Sequence, residues 1–251
     1  MTATQADLIS QFRTARRDQS KAVLEGLHAI KHARRFGAAI TCCVSDNPAH
    51  SLTLSQSLAP DLVPFLDTSL TAIPTATFDQ LAPKPHATRL IALADRPAPP
   101  DLTSLLQSAQ GPVILLDQPQ HLGNTGAVIR AAAGLNAAAV ITLGTIDPWH
   151  PSILRAAAGL HYALPVTSAP AFSSLPQTQT LIALDPTGTP LPATTLPANP
   201  IIAFGSERQG LSPDLLNAAT HTIAIPMANG VSSLNLATSV AITLHHLNCL
   251  R

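Results

Sequence analysis

Residues 113–143 read VILLDQPQHLGNTGAVIRAAAGLNAAAVITL and predict a strand, a helix and a second strand. Val113–Asp117 is a short apolar run, Thr125–Gly134 has the composition of a helix that ends at a glycine, and Ala138–Leu143 is apolar again. Apolar strands joined by helices are typical of a parallel sheet covered on both faces. The alternation continues downstream, with strands predicted at Leu181–Asp185, Ile201–Phe204 and Thr222–Pro226, helices at Pro151–Ala158, Pro213–Ala219 and Ser233–Leu247, and a loop at Pro186–Pro200.

The first hundred residues have a less regular pattern. Lys21–Arg35 carries apolar residues at helical spacing and predicts an amphipathic helix. Ala38–Val44 and Arg89–Ala94 predict buried strands. Arg96–Pro100 (RPAPP) is the best linker candidate, so we predict a domain boundary after residue 105.

The composition excludes several classes of protein. Hydrophobic residues make up 46% of the 251 residues and charged residues 11%, and the formal net charge is zero. Such a chain is not a charged disordered protein, and its overall charge gives no reason to expect nucleic-acid binding. Cys42, Cys43 and Cys249 are too few and too unevenly spaced for a disulfide framework or a zinc site, and we expect the first two in a buried strand. We find no secretory signal and no apolar stretch that could span a membrane, and therefore expect a cytoplasmic protein. The spacing of the cysteines and histidines leads us to expect no metal.

The basic residues are concentrated near the N-terminus. Seven of the fourteen precede Gly37, where only Asp7, Asp18 and Glu25 oppose them. This segment is a plausible contact for RNA phosphates, although charge alone favours a solvated helix face. The seven are Arg13, Arg16, Arg17, Lys21, Lys31, Arg34 and Arg35.

Common catalytic motifs do not occur. The sequence has no GxxxxGK[ST], GxSxG or HExxH, which excludes P-loop enzymes and the simplest hydrolases and zinc proteases. His121–Gly126 (HLGNTG) lacks the GxGxxG spacing of a dinucleotide-binding turn. The ten histidines show no metal-ligand spacing.

Three polar runs remain, each at the end of a predicted strand or the start of a helix. They occupy residues 121–141, 201–216 and 223–244. In parallel α/β proteins that edge of the sheet is where ligands bind.

In this order, the three runs resemble the motifs of the SpoU/TrmH family of RNA ribose 2′-O-methyltransferases, within the SPOUT superfamily. The resemblance covers about residues 113–247, and Arg155–Gly159 followed by Leu164–Val166 resembles a segment between the first two motifs. The first motif is matched by Leu122, Gly123, Asn124, Gly126, Ala127 and Arg130, the second by Gly205, Ser206, Glu207, Gly210 and Leu211, and the third by Ile225, Pro226, Met227, Ser233, Leu234 and Asn235.

The resemblance implies a fold and an assembly. The fold would be α/β, with a small N-terminal α/β substrate-binding domain at 1–105 and a C-terminal parallel-sheet α/β domain at 106–251 that ends in a deep trefoil knot. Family members are homodimers that pack through the knotted domain, with RNA sites completed by both subunits. The cofactor would be S-adenosylmethionine.

The resemblance also assigns roles to residues, and the residues themselves leave alternatives open. Arg130 would act on the ribose hydroxyl, but a guanidinium is almost never deprotonated, so it can instead orient a phosphate and stabilise alkoxide charge. Glu207 would hold Asn124 or Asn235, or it is a carboxylate at a helix N-terminus. Ser233 and Asn235 would belong to the site or be helix caps. The assigned residues are Asn124, Arg130, Glu207, Ser233 and Asn235 for catalysis, Gly205, Ile225, Met227 and Leu234 for the cofactor, and Arg13, Arg16, Arg17 and Lys21 for RNA.

Two departures from the family pattern accompany these matches. His121-Leu122 stands in place of the usual acidic-proline pair, and Ala157 in place of a serine. The leading hypothesis is methyl transfer from S-adenosylmethionine to a ribose 2′-hydroxyl of structured RNA, with rRNA favoured over tRNA because of the added N-terminal domain. The alternatives are a non-catalytic RNA-binding or ribosome-assembly factor with the same fold, and a dinucleotide-binding oxidoreductase.

Overall fold

The chain forms two compact units. The computed structural model describes residues 5–82, 87–176, 179–191 and 196–249. The first unit comprises residues 1–98 and 149–163, and the second comprises residues 99–148 and 164–251. These units are defined by how residues pack and each combines two stretches of the sequence. They therefore do not test the domain boundary predicted after residue 105, which stays a prediction.

The first unit is built on a four-stranded sheet. Its strands are β1 (Lys21–Glu25), β2 (Ile40–Ser45), β3 (Leu70–Ala72) and β4 (Leu90–Asp95), and its helices are α1 (Gln5–Ala15), α2 (Leu27–Arg35), α3 (Pro48–Leu58), α4 (Val63–Ser69), α5 (Thr75–Leu81) and α8 (Pro151–Ala156). The strand order is β1-β4-β2-β3, in which β4 is antiparallel to both of its neighbours and β2 is parallel to β3.

The helix predicted over Lys21–Arg35 is wrong in its first third. Lys21–Glu25 is β1, and α2 begins only at Leu27. The side chains from Ala22 to Glu25 are buried along a strand paired with β4, and Gly26 separates strand from helix at φ 91°. A left-handed backbone of this kind favours glycine and cannot lie inside a helix.

Residues 149–163 contribute to the core of the first unit, although their sequence lies between two strands of the second. Trp149 and Leu154 are buried in the same cluster as Leu27 and Ile30. Gly159 has φ 74°, and a Cβ atom there would lie 2.2 Å from the carbonyl oxygen of Ala29. Only glycine therefore permits this approach of the two backbones.

The second unit contains a six-stranded sheet. Its strands are β5 (Val113–Leu116), β6 (Ala139–Leu143), β7 (Val166–Ala169), β8 (Leu181–Pro190), β9 (Ile201–Phe204) and β10 (His221–Ala224), and its helices are α6 (Leu102–Ser108), α7 (Leu122–Gly134), α9 (Pro213–Ala218) and α10 (Leu236–Cys249). The strand order is β10-β8-β9-β5-β6-β7 with every neighbouring pair parallel, as predicted for a parallel-sheet α/β fold. Helices α7 and α10 pack against each other.

The loop predicted at Pro186–Pro200 is partly a strand. β8 continues to Pro190 and pairs there with the end of β10. Glycine at position 188 permits this pairing, because a Cβ atom would lie 2.6 Å from the backbone of Ile223. Residues 192–195 of the predicted loop lie outside the described residues.

Two further features bear on the sequence predictions. Cys42 and Cys43 lie on β2 as expected, the second buried and the first partly so. Within the described ranges, no helix is long and apolar enough to cross a membrane.

Candidate active site

A cavity of about 680 Å³ lies at the carboxyl edge of the parallel sheet in the second unit. Its walls come from the residues that follow β5 and β10, from the end of β9 and the residues after it, and from the middle of β8. The three polar runs of the sequence meet at one edge because all of these strands are parallel. The lining residues are His121, Asn124, Leu184, Asp185, Pro186, Phe204, Gly205, Ser206, Glu207, Arg208, Gly210, Leu211, Ile225, Met227, Ser233, Leu234, Asn235, Leu236 and Ser239.

A tight turn after β9 forms one wall. The backbone amides of Ser206 and Gly210 each donate to the other residue's carbonyl, at 3.1 and 3.0 Å. Gly210 has φ 69°, and a Cβ atom on Gly205 would lie 2.1 Å from the carbonyl carbon of Gly210. Both glycines are therefore required for the shape of this wall.

Asp117 fixes the far end of the same turn. This residue is 4% exposed, and its Oδ2 accepts a hydrogen bond of 2.7 Å from the backbone amide of Ser212. The backbone amide of Asp117 donates to the carbonyl of Phe204, the last residue of β9. Asp117 was not among the predicted site residues, although an acid at the end of an apolar strand was a signal that could have found it.

Three side chains from the three motifs form a hydrogen-bonded chain in the cavity wall. Asn124 Nδ2 donates to Glu207 Oε1 at 2.8 Å, and Asn235 Nδ2 donates to Asn124 Oδ1 at 3.1 Å. Asn235 Oδ1 also accepts from the backbone amide of Ala237 at 2.9 Å, at the start of α10. Of the alternatives left open by the sequence, Glu207 contacts Asn124 directly, and Asn235 is both a helix cap and part of the network.

The cavity brings together all of the residues predicted for catalysis and cofactor binding except Arg130. That arginine is exposed on α7, six residues after Asn124, and does not line the cavity. Along a helix, six residues separate Asn124 from Arg130 by a rise of about 9 Å and a rotation of about one and two thirds turns.

Two of the four residues predicted for RNA binding are engaged by acids in the first unit. Arg16 forms an ion pair of 2.9 Å with the buried Glu25, which Arg155 also contacts at 3.2 Å. Lys21 pairs with Asp95. Arg13 and Arg17 are exposed.

The wall that β8 supplies was not predicted from the sequence. Leu184, Asp185 and Pro186 line the cavity, as does Arg208 beside the predicted Glu207. Asp185 ends the predicted apolar strand Leu181–Asp185, as Asp117 ends Val113–Asp117, so the signal was present. Over the part of the chain that the structure describes, no three His, Cys, Asp or Glu side chains gather to hold a metal ion.

Comparisons with known proteins agree with this geometry. The sequence profile of the SpoU rRNA Methylase family matches residues 111–245. A protein of Synechocystis sp. named as a tRNA/rRNA methyltransferase is 30% identical, over 98% of this chain and 92% of that protein. The chain belongs to the SpoU rRNA methylase family. The resemblance predicted from the three motifs is therefore confirmed.

Other relatives match this chain in its fold or over about half of its length. A Bacillus subtilis protein named 23S rRNA (guanosine(2553)-2′-O)-methyltransferase RlmP is 32% identical over 54% of this chain and 57% of that protein. The crystal structure of the SpoU methyltransferase AviRb from Streptomyces viridochromogenes, in complex with AdoMet, superimposes with a TM-score of 0.79 at 22% identity and covers 97% of both chains. This similarity confirms the fold of the SpoU methylase described above.

Proposed function

We propose that this SpoU methylase transfers the methyl group of S-adenosylmethionine to a ribose 2′-hydroxyl of structured RNA, with rRNA favoured over tRNA. The observation that carries the proposal is the hydrogen-bonded chain Glu207–Asn124–Asn235, which joins three distant motifs in one cavity wall. A protein that kept only the fold would have no need to pair these side chains, since water satisfies polar groups at an open cavity wall almost as well.

The residues of the cavity fit the proposed cofactor. A volume of about 680 Å³ lies within the range of roughly 300–1,000 Å³ that is typical of sites for small organic ligands. Apolar side chains such as Ile225 and Leu234 suit an adenine ring, and the carboxylates of Asp185 and Glu207 suit a cationic ligand. Gly205, Ile225, Met227 and Leu234 would hold S-adenosylmethionine, which supplies an electrophilic methyl group on a sulfonium when it is bound.

The polar network would position the nucleophile. Methyl transfer is an in-line displacement, so holding the ribose oxygen opposite the departing sulfur supplies much of the rate. The amides of Asn124 and Asn235 are fixed before the reaction because Glu207 anchors the first and α10 the second. Ser233, which lines the same wall, adds a hydroxyl next to them.

Arg130 would serve the RNA rather than the cofactor. A guanidinium does not act as a base at neutral pH, but it binds phosphate through paired hydrogen bonds and stabilises the charge of a forming alkoxide. Its exposed position on α7 leaves it open to RNA. Arg13 and Arg17, which are exposed on the first unit, are proposed as further phosphate contacts.

The active protein would be a homodimer formed through the second unit. Val231 and Ile242 of the second unit are large apolar side chains that are 48% and 37% exposed. Ile242 lies on α10, which packs against α7, the helix of Arg130. A second copy that covers this face would bury the apolar side chains and bring Arg130 close to a site shared by both subunits.

We also propose that the chain is knotted after β10. The strand order supports this, since β10 lies outside β8, whereas the following α10 packs on α7, which comes after the central strand β5. An experimental structure in which residues 225–249 pass beside the sheet without threading a loop would contradict the knot and leave the methyl transfer intact.

Relatives support rRNA as the substrate class. The Bacillus subtilis relative and one from Streptomyces laurentii are named as 23S rRNA 2′-O-methyltransferases. A cytoplasmic location is part of the same proposal.

The experiment that tests the proposal is a map of 2′-O-methylated nucleotides in total RNA from cells with and without this gene. We expect at least one ribose methyl group to disappear with the gene and to return when the wild-type gene is restored. A gene carrying Asn124→Ala should not restore it. Identical maps in both strains would favour the alternative, a non-catalytic RNA-binding or ribosome-assembly factor.

A further inference from the structure

The C-terminal half of α2 carries a basic and aromatic surface on the first unit. We define this α2 surface as Lys31, Arg34, Arg35, Phe36 and Phe65. Its three cations lie on one side of α2, because Lys31, Arg34 and Arg35 each contact the neighbouring residues 58–65. Lys31 Nζ donates to the carbonyl of Leu58 at 3.2 Å, the Arg34 guanidinium lies 4.9 Å from the ring centroid of Phe65, and Arg35 pairs with Asp61 at 2.7 Å.

Arg34 keeps its charge available to a ligand, because it contacts an aromatic ring and not an acid. Lys31 donates to a carbonyl oxygen, and Asp61, the partner of Arg35, lies near enough to interact with the Lys31 charge. Arg34 thus contrasts with Arg16 and Lys21, which were predicted for RNA and which face Glu25 and Asp95. The α2 sequence LHAIKHARR contains no acidic residue.

An exposed aromatic side chain ends the helix that carries the cations. Phe36 follows Arg35 directly and is 45% exposed, in a chain with only six phenylalanines, one tryptophan and one tyrosine. Arg34 lies on the ring of Phe65 and so presents a flat guanidinium of its own. Cations next to exposed rings are the arrangement on which unpaired bases stack while their phosphates are neutralised.

Neither a helix dipole nor a protein partner accounts for the whole surface. Cations in the last turn of a helix stabilise its dipole, which suits Arg34 and Arg35 but gives no role to Phe36. An apolar protein partner would suit Phe36 but not Lys31, because lysine is depleted where protein surfaces meet. Unpaired RNA would contact both kinds of side chain, because its phosphates bind cations and its bases stack on aromatic rings.

We propose that the α2 surface binds an unpaired segment of the substrate RNA, with a base stacked on Phe36 and phosphates held by Lys31 and Arg34. The inference rests on the proposed function, which makes RNA the substrate. It adds a recognition element that selects single-stranded RNA, separate from the cavity of the second unit.

The test measures binding of the full-length protein, without cofactor, to a fluorescent 12-nucleotide unstructured RNA and to a duplex of the same sequence. We expect Phe36→Ala to weaken binding of the single strand roughly tenfold and to leave duplex binding unchanged. Phe36→Trp should retain the affinity, whereas Phe36→Leu should not, because leucine keeps apolar area but offers no ring. Thermal unfolding of each variant checks that the fold is retained.

A second arm measures how binding of the single strand depends on salt. The double variant Lys31→Gln/Arg34→Gln should flatten the slope of log affinity against log salt by roughly 0.7 for each phosphate that it no longer neutralises. Arg155→Gln is the control, since it removes one positive charge from the same unit at a residue paired with Glu25. Its slope should equal that of the wild type.

Two results would overturn the inference. One is single-strand affinity that is unchanged in Phe36→Ala, or that falls equally for the duplex. The other is a slope for the double variant that is no flatter than that of Arg155→Gln. Because no cofactor is present, these results are independent of methyl transfer, and a protein that binds RNA through α2 but transfers no methyl group would overturn the proposed function alone.

Discussion

Asn124 uses its single amide to contact both neighbours in the cavity wall, donating to Glu207 and accepting from Asn235. Such a chain has one consistent orientation, because the carboxylate can only accept and the Asn235 amide can donate to Asn124 only through its nitrogen. The direction of each hydrogen bond therefore decides which substitutions the network tolerates.

Asn235→Asp separates the two roles of this residue. An aspartate still accepts from the backbone amide of Ala237 and so caps α10, but it cannot donate to Asn124 Oδ1. We expect thermal stability close to the wild type and a methyl-transfer rate lowered at least about tenfold, because the Asn124 amide is no longer held in place. Asn235→Ala, the comparison variant, should lose stability as well. A fully active Asn235→Asp protein would remove the network from the mechanism.

Gly205→Ala tests the wall formed by the turn after β9. The added Cβ would lie 2.1 Å from the backbone of Gly210 and would force the turn to open. We expect affinity for S-adenosylmethionine, measured by calorimetry, to fall at least about tenfold, which corresponds to roughly 1.4 kcal/mol. Gly134→Ala is the control, since a Cβ there meets no atom within 4 Å. Equal affinities in the two variants would place the ligand away from this turn.

At the scale of helices and strands, the segment 149–163 determines how the first unit is completed. His32 Nδ1 lies 2.8 Å from the carbonyl of Ala158, and the hydroxyl of Tyr162 donates to the carbonyl of Asp95 at 2.9 Å. Together with the close approach at Gly159, these hydrogen bonds attach the segment to α2 and β4. Disturbing any of them should therefore affect the stability of the first unit.

Gly159→Ala should destabilise the first unit. The substitution adds a Cβ 2.2 Å from the carbonyl oxygen of Ala29 at a left-handed position, and we expect the free energy of unfolding to fall by roughly 2–4 kcal/mol. Gly37→Ala separates the cost of the left-handed backbone from the cost of the close contact. Gly37 has φ 83°, but its Cβ would meet no atom within 4 Å. Urea denaturation measures both. An equal loss in the two variants would show that the close approach to Ala29 contributes nothing.

The partial burial of His32 predicts a pH dependence of stability. Burial lowers the pKa of His32 below its usual 6.5, which the hydrogen bond with Ala158 only partly opposes. The unfolded chain then binds a proton more readily than the folded one, so this contribution is complete above pH 6.5 and is lost as the pH falls through the folded pKa. We expect the free energy of unfolding to drop less between about pH 7.5 and 5.5 in His32→Gln than in the wild type. Parallel pH profiles would contradict this.

The elements that the sequence predicted best are those whose pattern is local. Val113–Leu116, Ala139–Leu143 and Ile201–Phe204 are short apolar runs between turn residues, and each is a strand in the structure. Lys21–Glu25 was predicted as a helix because a short apolar run next to a helix fits both the helical and the strand repeat. Only its pairing with β4 shows that it is a strand. The continuation of β8 to Pro190 depends on its neighbour β10, which no local pattern reveals.

The site was predictable for a related reason. The carboxyl ends of parallel strands lie at the same edge of the sheet, so Asn124, Glu207 and Asn235 were expected to lie close together before their hydrogen bonds were known. The sequence could not show which cations are already paired. Arg16 and Lys21 look like RNA contacts in a basic run, but their acids come from β1 and β4, and this arrangement depends on tertiary folding.

At the scale of the whole molecule, the proposed homodimer links the exposed apolar face of the second unit to Arg130. A chain of 26.1 kDa should have twice that mass in solution, as measured by light scattering. Ile242→Asp should reduce it to a monomer and abolish methyl transfer, because a buried carboxylate at an interface is costly. Leu216→Asp, which is an equally exposed apolar position on α9, should remain dimeric. A monomeric wild type would contradict the dimer.

The cavity wall built by Glu207, Asn124 and Asn235 is proposed to serve methyl transfer to RNA, and every prediction about the second unit depends on that role. The most direct measurement is transfer of radiolabelled methyl groups from S-adenosylmethionine to RNA from cells that lack the gene, followed by alkaline hydrolysis. We expect alkali-resistant, 2′-O-methylated dinucleotides with the wild type, substantial activity with Glu207→Gln, whose side chain still accepts from Asn124, and a loss of at least about tenfold with Glu207→Ala. No label in the dinucleotides, or equal labelling with Glu207→Ala and the wild type, would contradict this role.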